Sequence, residues 1–268
     1  MIKIATTTLG CPQWDLDTVL TNCASYGFDA IDFRGLGEDL DITKTAAFTT
    51  GLAATRRRIE GSGLSVSGIS TSLWVCDPAR REANLEEAKR TLPIALELGV
   101  PNLRIFGGGD LEKQPMEELA KQGADLVREL LALDGGREVR WCMETHDQWS
   151  RSADLMQILG QVEAAEVGAL WDVFHTIRHG ETPAESLAGF GGRVYYTHFK
   201  DGIPDEAWRM VSLGDGTLPM AEAVRLLKEG GYEGYLALEH EKLWHDELEP
   251  PEVSFPKAVK WFKAQLEG

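Results

Sequence analysis

Residues 168–173 read GALWDV, an apolar run that ends at the carboxylate of Asp172. Seven other β-rich runs occur along the chain, and a segment with helical periodicity follows each of the eight. The predicted strands span 3–9, 30–34, 65–72, 102–108, 138–146, 168–173, 193–199 and 234–240, and the helices about 15–26, 47–62, 83–98, 114–133, 151–160, 183–189, 219–229 and 252–266. Apolar strands that alternate with helices predict a parallel sheet. Eight units in 268 residues favour a (β/α)8 TIM barrel, an α/β fold with one domain over 1–268. An open doubly wound sheet is the alternative.

The charge of the chain excludes one class of partner. Lysine and arginine total 27 against 43 aspartate and glutamate, which gives a formal net charge of −16. Binding to a polyanion depends on lysine and arginine that release counterions from phosphates. We therefore expect no nucleic-acid partner.

Membrane and export signals are not found in the sequence. No run of about 18 apolar residues occurs, so we expect no membrane partner. The opening MIKIATTTLG lacks a basic region followed by an apolar run, and it predicts no signal peptide. The four cysteines are far apart and form no CxxC pair, which is typical of a reducing compartment. We expect a cytoplasmic location.

Polar side chains end the last four predicted strands. The fifth ends CMETH, the sixth LWDVFH, the seventh YTHFKD and the eighth LALEHE. In barrels of this type the chemistry lies where strands end and βα loops begin, so Glu144, Asp172, His198 and Glu239 converge on one mouth. Any single carboxylate at a strand end is more often a helix cap or an ion-pair partner. Three carboxylates that lie close together with little water to screen them repel one another strongly. A divalent cation bound between them would offset this repulsion.

The predicted cofactor is therefore one divalent metal ion. Three oxygen ligands and one nitrogen ligand favour a fairly hard ion with open positions for substrate, such as Mn²⁺, Mg²⁺ or Co²⁺. Zn²⁺ also accepts these ligand types, and ligand chemistry alone does not choose among the four.

The chain resembles the xylose isomerase-like TIM barrel superfamily, in particular its sugar phosphate isomerase/epimerase family. The motifs that carry the resemblance are TTLGCPQWDL, GFDAIDFRG, LRIFGG, METHD, WDVFH, HFKD, LGDGTLPM and GYLALEHE. The resemblance implies Glu144, Asp172, His198 and Glu239 as ligands of one metal. It also implies that Glu144 and Glu239 act as acid and base on opposite faces of a ketose, with an enediolate stabilised by the metal.

Further substrate contacts are predicted, His175 and Arg209 from the same resemblance and the others from their positions at strand ends or in a βα loop. His175, three residues after the ligand aspartate, is expected to contact a substrate hydroxyl; in multi-metal relatives this position holds another metal, and a structural role is the alternative. The other predicted contacts are Arg209 for substrate oxygens, Lys200 for an oxyanion or phosphate, His146 and Arg34 at the rim, and Trp14 stacked on a sugar face. Surface, ion-pair or packing roles compete for these residues.

The sequence therefore predicts a metal-dependent isomerase or epimerase that acts on a small carbohydrate through an enediolate. A lyase of the inosose dehydratase type is the alternative, because elimination uses the same intermediate. A non-catalytic sugar-binding barrel is less favoured. So is an endonuclease IV-like nuclease, because the ends of strands three and four lack histidines. Family members are often dimers or tetramers, so a homo-oligomer is compatible with the resemblance.

Overall fold

Eight parallel strands close into a barrel in the computed structural model, which describes residues 1–268. The chain has ten strands, of which eight form the barrel and two form a separate hairpin. In chain order they are β1 (Lys3–Thr7), β2 (Ala30–Phe33), β3 (Ser65–Trp74), β4 (Asn102–Phe106), β5 (Arg140–Glu144), β6 (Val167–Asp172), β7 (Val194–Phe199), β8 (Asp201–Ile203), β9 (Arg209–Val211) and β10 (Tyr235–Leu238). Strand β10 pairs with both β7 and β1, which closes the ring, and β8 and β9 form a separate antiparallel hairpin. Closure confirms the TIM barrel and excludes the open sheet.

Helices surround the barrel and connect its strands. They are α1 (Leu16–Tyr26), α2 (Leu52–Ser62), α3 (Arg81–Leu98), α4 (Met116–Ala132), α5 (Ser152–Leu159), α6 (Val173–Arg178), α7 (Pro183–Phe190), α8 (Met220–Glu229) and α9 (Pro251–Glu267). Eight of the nine correspond to predicted helices. The sequence analysis did not predict α6 or the β8–β9 hairpin, both of which lie beside strand ends.

Several predicted boundaries were wrong, and local backbone geometry explains two of them. The second helix begins at Leu52 rather than near 47, because the chain turns at Gly51, whose N–H donates to the Ala46 carbonyl at 2.8 Å. The fourth strand ends at Phe106 rather than at Gly108. Gly108 has a φ of 64°, a left-handed conformation that is incompatible with a continued strand.

The barrel interior contains a small apolar layer. Its members are Ala5, Ala30, Cys142, Leu170, Tyr196 and Ala237, each at most 1% exposed. Because successive side chains of a strand alternate between its two faces, the residue two positions later faces the interior again. The polar groups at the mouth therefore stand directly above this layer.

A buried carboxylate joins two neighbouring helices, and its removal is expected to destabilise the protein. Glu181, 8% exposed, accepts hydrogen bonds from Ser152 N at 3.0 Å, from Ser152 Oγ at 2.9 Å and from Ser186 Oγ at 2.8 Å. Glu181→Ala leaves these donors unpaired and is expected to lower the free energy of unfolding by about 3 kcal/mol. Urea denaturation measures the loss.

The control for this prediction is Glu185→Ala, which removes the exposed capping box at the start of α7. We expect that change to cost about 1 kcal/mol. Equal losses in the two variants would contradict the role assigned to Glu181.

None of the nine helices combines the length and apolarity needed to cross a bilayer. All four cysteines are buried and unpaired.

Candidate metal centre

Four polar side chains gather at the mouth of the barrel. Glu144 and Asp172 are the last residues of β5 and β6, His198 lies in β7, and Glu239 directly follows β10. These four strands are neighbours in the barrel. One potential ligand atom from each side chain lies within 4.8 Å of the others. All four residues are buried, with Glu239 the most exposed at 3%.

Strand periodicity explains why the four side chains meet. Each follows a member of the apolar interior layer by two positions: Glu144 follows Cys142, Asp172 follows Leu170, His198 follows Tyr196 and Glu239 follows Ala237. A step of two residues returns the side chain to the same face of a strand. The apolar layer therefore forms the floor of the cluster.

Two buried cations contact the cluster. Arg104 Nη1 lies 3.1 Å from Glu144 Oε2 and 3.9 Å from Glu239 Oε1. Lys200 Nζ lies 2.9 Å from Asp172 Oδ2 and 2.7 Å from Glu239 Oε2, and it also reaches Glu241 Oε1 at 2.6 Å. The three carboxylates of the cluster are thus partly, but not evenly, balanced by the protein itself.

The uneven balance appears in the pKa values. Burial raises the pKa of Asp172 to about 7, with Glu239 and Glu144 adding to the rise and Lys200 opposing it. Burial also disfavours the ionised form of Glu239, but Lys200, His198 and Arg104 hold its pKa well below the usual range. Burial also favours a higher pKa at Glu144, but Arg104 and His198 outweigh this effect and lower the pKa of Glu144 below its usual value. Asp172 is therefore the carboxylate with the least cationic support from the protein.

His198 connects the cluster to a further buried carboxylate, that of Asp32. Its Nδ1 lies 3.0 Å from Glu144 Oε1 and 3.2 Å from Glu239 Oε1, so this nitrogen faces the cluster. Its Nε2 points the other way and lies 3.5 Å from Asp32 Oδ2. The ring thus bridges the cluster and the interior of the barrel.

The donor set fits a divalent cation. Three carboxylates and one imidazole nitrogen are common ligands of Mn²⁺, Mg²⁺ and Zn²⁺. In addition, Asp172 Oδ2 is buried without a well-oriented hydrogen-bond donor, although Lys200 Nζ is near. A buried carboxylate oxygen of this kind is costly unless it is paired or coordinates a metal. The cluster can therefore bind a metal ion.

A family model for the xylose isomerase-like TIM barrel matches residues 20–265. The chain belongs to this family. The resemblance inferred from the motifs is confirmed. No curated protein matches the chain by sequence.

Solved structures of similar shape share the barrel with this xylose isomerase-like chain. A D-psicose 3-epimerase solved in the presence of D-fructose superposes with a TM-score of 0.78 at 17% identity, covering 99% of this chain and 100% of that one. The probable 3-DHS dehydratase AsbF of Bacillus anthracis gives 0.79 at 16%, with 97% and 98% covered. The IOLI protein, solved with a zinc atom, gives 0.79 at 18%, with 98% and 96% covered. At these identities the likeness shows the fold alone.

Two histidines line one side of the cluster in this xylose isomerase-like barrel. His175 lies in α6; its backbone N donates to Asp172 Oδ1 at 3.1 Å, and its Nε2 is buried without a hydrogen-bond partner. Burial, then Lys200 and His146, lower the pKa of His175 well below its usual value, so the ring is neutral. The His146 ring lies 4.7 Å from that of His175 and 4.8 Å from that of Phe106. The His175 imidazole therefore stands beside Asp172, and that of His146 lies next to His175.

The other predicted contact residues occupy different positions. Arg34 is 9% exposed and donates from Nη1 to the Leu40 carbonyl; burial and the nearby Arg104 lower its pKa to about 10. Trp14 is packed edge-on against Phe255 and donates to Glu252, so it is held against α9. Arg209 lies on the hairpin strand β9 with an exposed side chain, 3.3 Å from Asp205. The structure does not bring Trp14 or Arg209 into the cluster.

Two residues of the cluster's surroundings were missed by the sequence analysis. Arg104 lies in the middle of β4 and Asp32 is the penultimate residue of β2, whereas the metal-ligand prediction considered only the ends of the last four strands. A usable signal existed, because Arg104 follows Asn102 and Asp32 follows Ala30, both of which face the barrel interior. The pattern that marks such residues is a charged side chain on the inward face of a strand, one or two residues before the strand ends.

The motif HFKD also has a structural part. Asp201, 2% exposed, accepts hydrogen bonds from the backbone N–H groups of Gly202 at 2.8 Å, Gly214 at 3.0 Å and Gly216 at 3.1 Å. A Cβ at Gly216 would lie 2.0 Å from Asp201 Oδ1, so only glycine allows this approach. The aspartate therefore ties the LGDG loop to the end of β7, next to Lys200.

Proposed function

We propose that this chain is a divalent-metal-dependent isomerase or epimerase acting on a sugar or related polyol ketone, with residues 1–268 as one catalytic domain. The observation that carries the proposal is the buried group of Glu144, Asp172, His198 and Glu239, whose ligand atoms lie within 4.8 Å of one another. Mn²⁺, Mg²⁺ or Co²⁺ is the favoured ion, and Zn²⁺ is the alternative. The unpaired cysteines are compatible with the reducing conditions of the cytoplasm.

The proposed chemistry is proton transfer at a carbon beside a carbonyl. When bound, the metal supplies a Lewis acid that polarises the carbonyl oxygen and so acidifies the adjacent C–H bond. Glu144 and Glu239 come from the two outer strands of the cluster, with Asp172 and His198 between them. Placed in this way, one glutamate takes a proton from the substrate carbon and the other returns one, and the product is an epimer or isomer.

Neighbouring residues are assigned supporting roles. The neutral ring of His175 accepts or donates one hydrogen bond to a substrate hydroxyl, because its Nε2 has no partner in the protein. His146 stands next to it on the same side. Lys200 and Arg104, both buried, offer positive charge to the enediolate oxygen as charge develops during the reaction. Arg34 is assigned to the rim. Trp14 and Arg209 need loop movement to reach a substrate.

A dehydratase is the second candidate, and one observation favours it. Lys200 carries three N–H donors, is 5% exposed and lies 2.7 Å from Glu239. A buried ammonium group in this position can donate a hydrogen bond to a departing hydroxyl, while the glutamate that removed the C–H proton gives that proton to the same oxygen, so that water leaves. Loss of water β to the carbonyl then follows the same first proton removal.

Metal analysis and hydrogen exchange test the proposal. Protein purified without added metal is analysed for bound ions, and ketoses and inososes are then incubated with it in D₂O. We expect about one divalent ion per chain, together with incorporation of deuterium at the carbon beside the carbonyl of at least one compound. Product NMR separates an epimer from a dehydrated enone. Protein that binds no divalent ion under saturating manganese would contradict the proposal.

A further inference from the structure

A buried carboxylate outside the ligand set contacts the histidine of the candidate metal centre. Asp32 lies in β2, is 0% exposed, and has its Oδ2 3.5 Å from His198 Nε2. No lysine or arginine nitrogen lies within 4.0 Å of it, and its Oδ1 has no hydrogen-bond partner. A carboxylate so deeply buried is destabilising unless a positively polarised group faces it. The imidazole of His198 is the group in that position.

The ring of His198 has its two nitrogens in different surroundings. Nδ1 faces Glu144 and Glu239 at 3.0 and 3.2 Å, whereas Nε2 faces Asp32. A neutral imidazole has one N–H donor and one lone pair, and the partner of one nitrogen decides which form is present. With a divalent ion bound among the carboxylates, Nδ1 would have to present its lone pair to the ion, and the carboxylate opposite Nε2 would then accept the proton on that nitrogen. The lone pair of Nδ1 is then directed into the cluster.

The packing around Asp32 keeps its carboxylate opposite Nε2 of His198. A Cβ at Gly68 would lie 2.8 Å from Asp32 Oδ2 and 3.4 Å from the Tyr196 ring, so the absence of a side chain at Gly68 provides the space that the carboxylate fills. The Tyr196 ring lies 5.5 Å from that of His198, and its hydroxyl is 2.9 Å from Ser67 Oγ. Neither residue supplies a countercharge, and both limit the room for Asp32 to turn away.

We propose that Asp32 is a positioning residue for the metal ligand His198. Its carboxylate accepts the Nε2 proton, holds the ring in the tautomer that presents Nδ1, and makes Nδ1 a stronger donor to a divalent ion. This role rests on the metal-binding part of the proposed function and adds to it a residue outside the four ligands.

The first test compares Asp32→Asn with the matched control Ser67→Ala. The control removes a buried hydroxyl that contacts Tyr196 and makes no hydrogen bond to His198. Each protein is stripped with a chelator and titrated with Co²⁺ while its visible absorption is recorded. For Asp32→Asn we expect Co²⁺ to bind about 10- to 100-fold more weakly, with shifted absorption bands. The control is expected to keep the affinity and the spectrum of the wild type.

A second measurement needs no variant. In wild-type protein labelled with ¹⁵N-histidine and loaded with Zn²⁺, the spectrum of His198 is expected to show a protonated Nε2 and an unprotonated Nδ1. The opposite tautomer overturns the role of Asp32. So does an Asp32→Asn variant with unchanged affinity and spectrum, and in that case the proposed function is unaffected. A wild-type protein that binds neither ion overturns both.

Discussion

Replacing Glu239 by glutamine is expected to lower the rate of substrate C–H exchange by about 10³-fold, a value typical for the loss of a general acid or base. The same change is expected to weaken metal binding, because Glu239 is one of the four side chains whose ligand atoms lie within 4.8 Å of one another. Glutamine keeps the size of the side chain but cannot hold the negative charge or accept the proton. Exchange into D₂O followed by NMR gives the rate, and elemental analysis gives the metal content.

The matched control for this prediction is Glu241→Gln. Glu241 lies two residues further along, and its Oε1 is 2.6 Å from Lys200 Nζ, but it is outside the ligand set. We expect this variant to keep its metal and most of its exchange rate. If Glu239→Gln retains the metal and exchanges at the wild-type rate, Glu239 is neither ligand nor base.

Replacing Lys200 by methionine is expected to lower the free energy of unfolding by about 3–5 kcal/mol in the presence of a chelator, because removing one partner leaves buried charges uncompensated. Lys200 is 5% exposed, and its Nζ lies within 2.9 Å of carboxylate oxygens of Asp172, Glu239 and Glu241. Methionine is similar in length but carries no charge. Saturating Mn²⁺ is expected to restore part of the loss, because the ion brings positive charge to Asp172 and Glu239.

Urea denaturation with a chelator and with Mn²⁺ measures both effects. Lys257→Met is the control, since Lys257 forms ion pairs with Asp215 and Glu249 but has a side chain that is 36% exposed. Exposed pairs of this kind contribute about 0–1 kcal/mol. The interpretation of Lys200 is wrong if both variants lose the same free energy under chelation.

The barrel could be predicted because its pattern is local and repeated. Apolar runs such as 168–173 and the helical segments between them depend on side-chain periodicity, which a sequence contains in full. The strand-end rule also brought Glu144, Asp172, His198 and Glu239 into view, and the structure places them together. Their roles as ligands and as acid and base stay predictions.

The partners of these residues could not be predicted in the same way. Arg104 approaches Glu144 from β4, 40 residues earlier in the chain, and Asp32 approaches His198 from β2, 166 residues earlier. No spacing rule in the sequence connects such pairs, because barrel closure and strand register decide which inward side chains meet. Arg209 illustrates the same point, since the unpredicted hairpin places it beside Asp205 instead.

The sequence alone was enough to predict the fold, the family and the four strand-end side chains, because each of them depends on residue type and on local spacing along the chain. Tertiary structure alone decided how the charge of the cluster is balanced. Lys200 and Arg104 touch its carboxylates, and Asp32 lies beside its histidine, because the closed ring sets β4 next to β5 and turns the inward face of β2 toward β7. The electrostatic energy of a buried charge depends on distance through space, and the order of residues along the chain does not contain those distances.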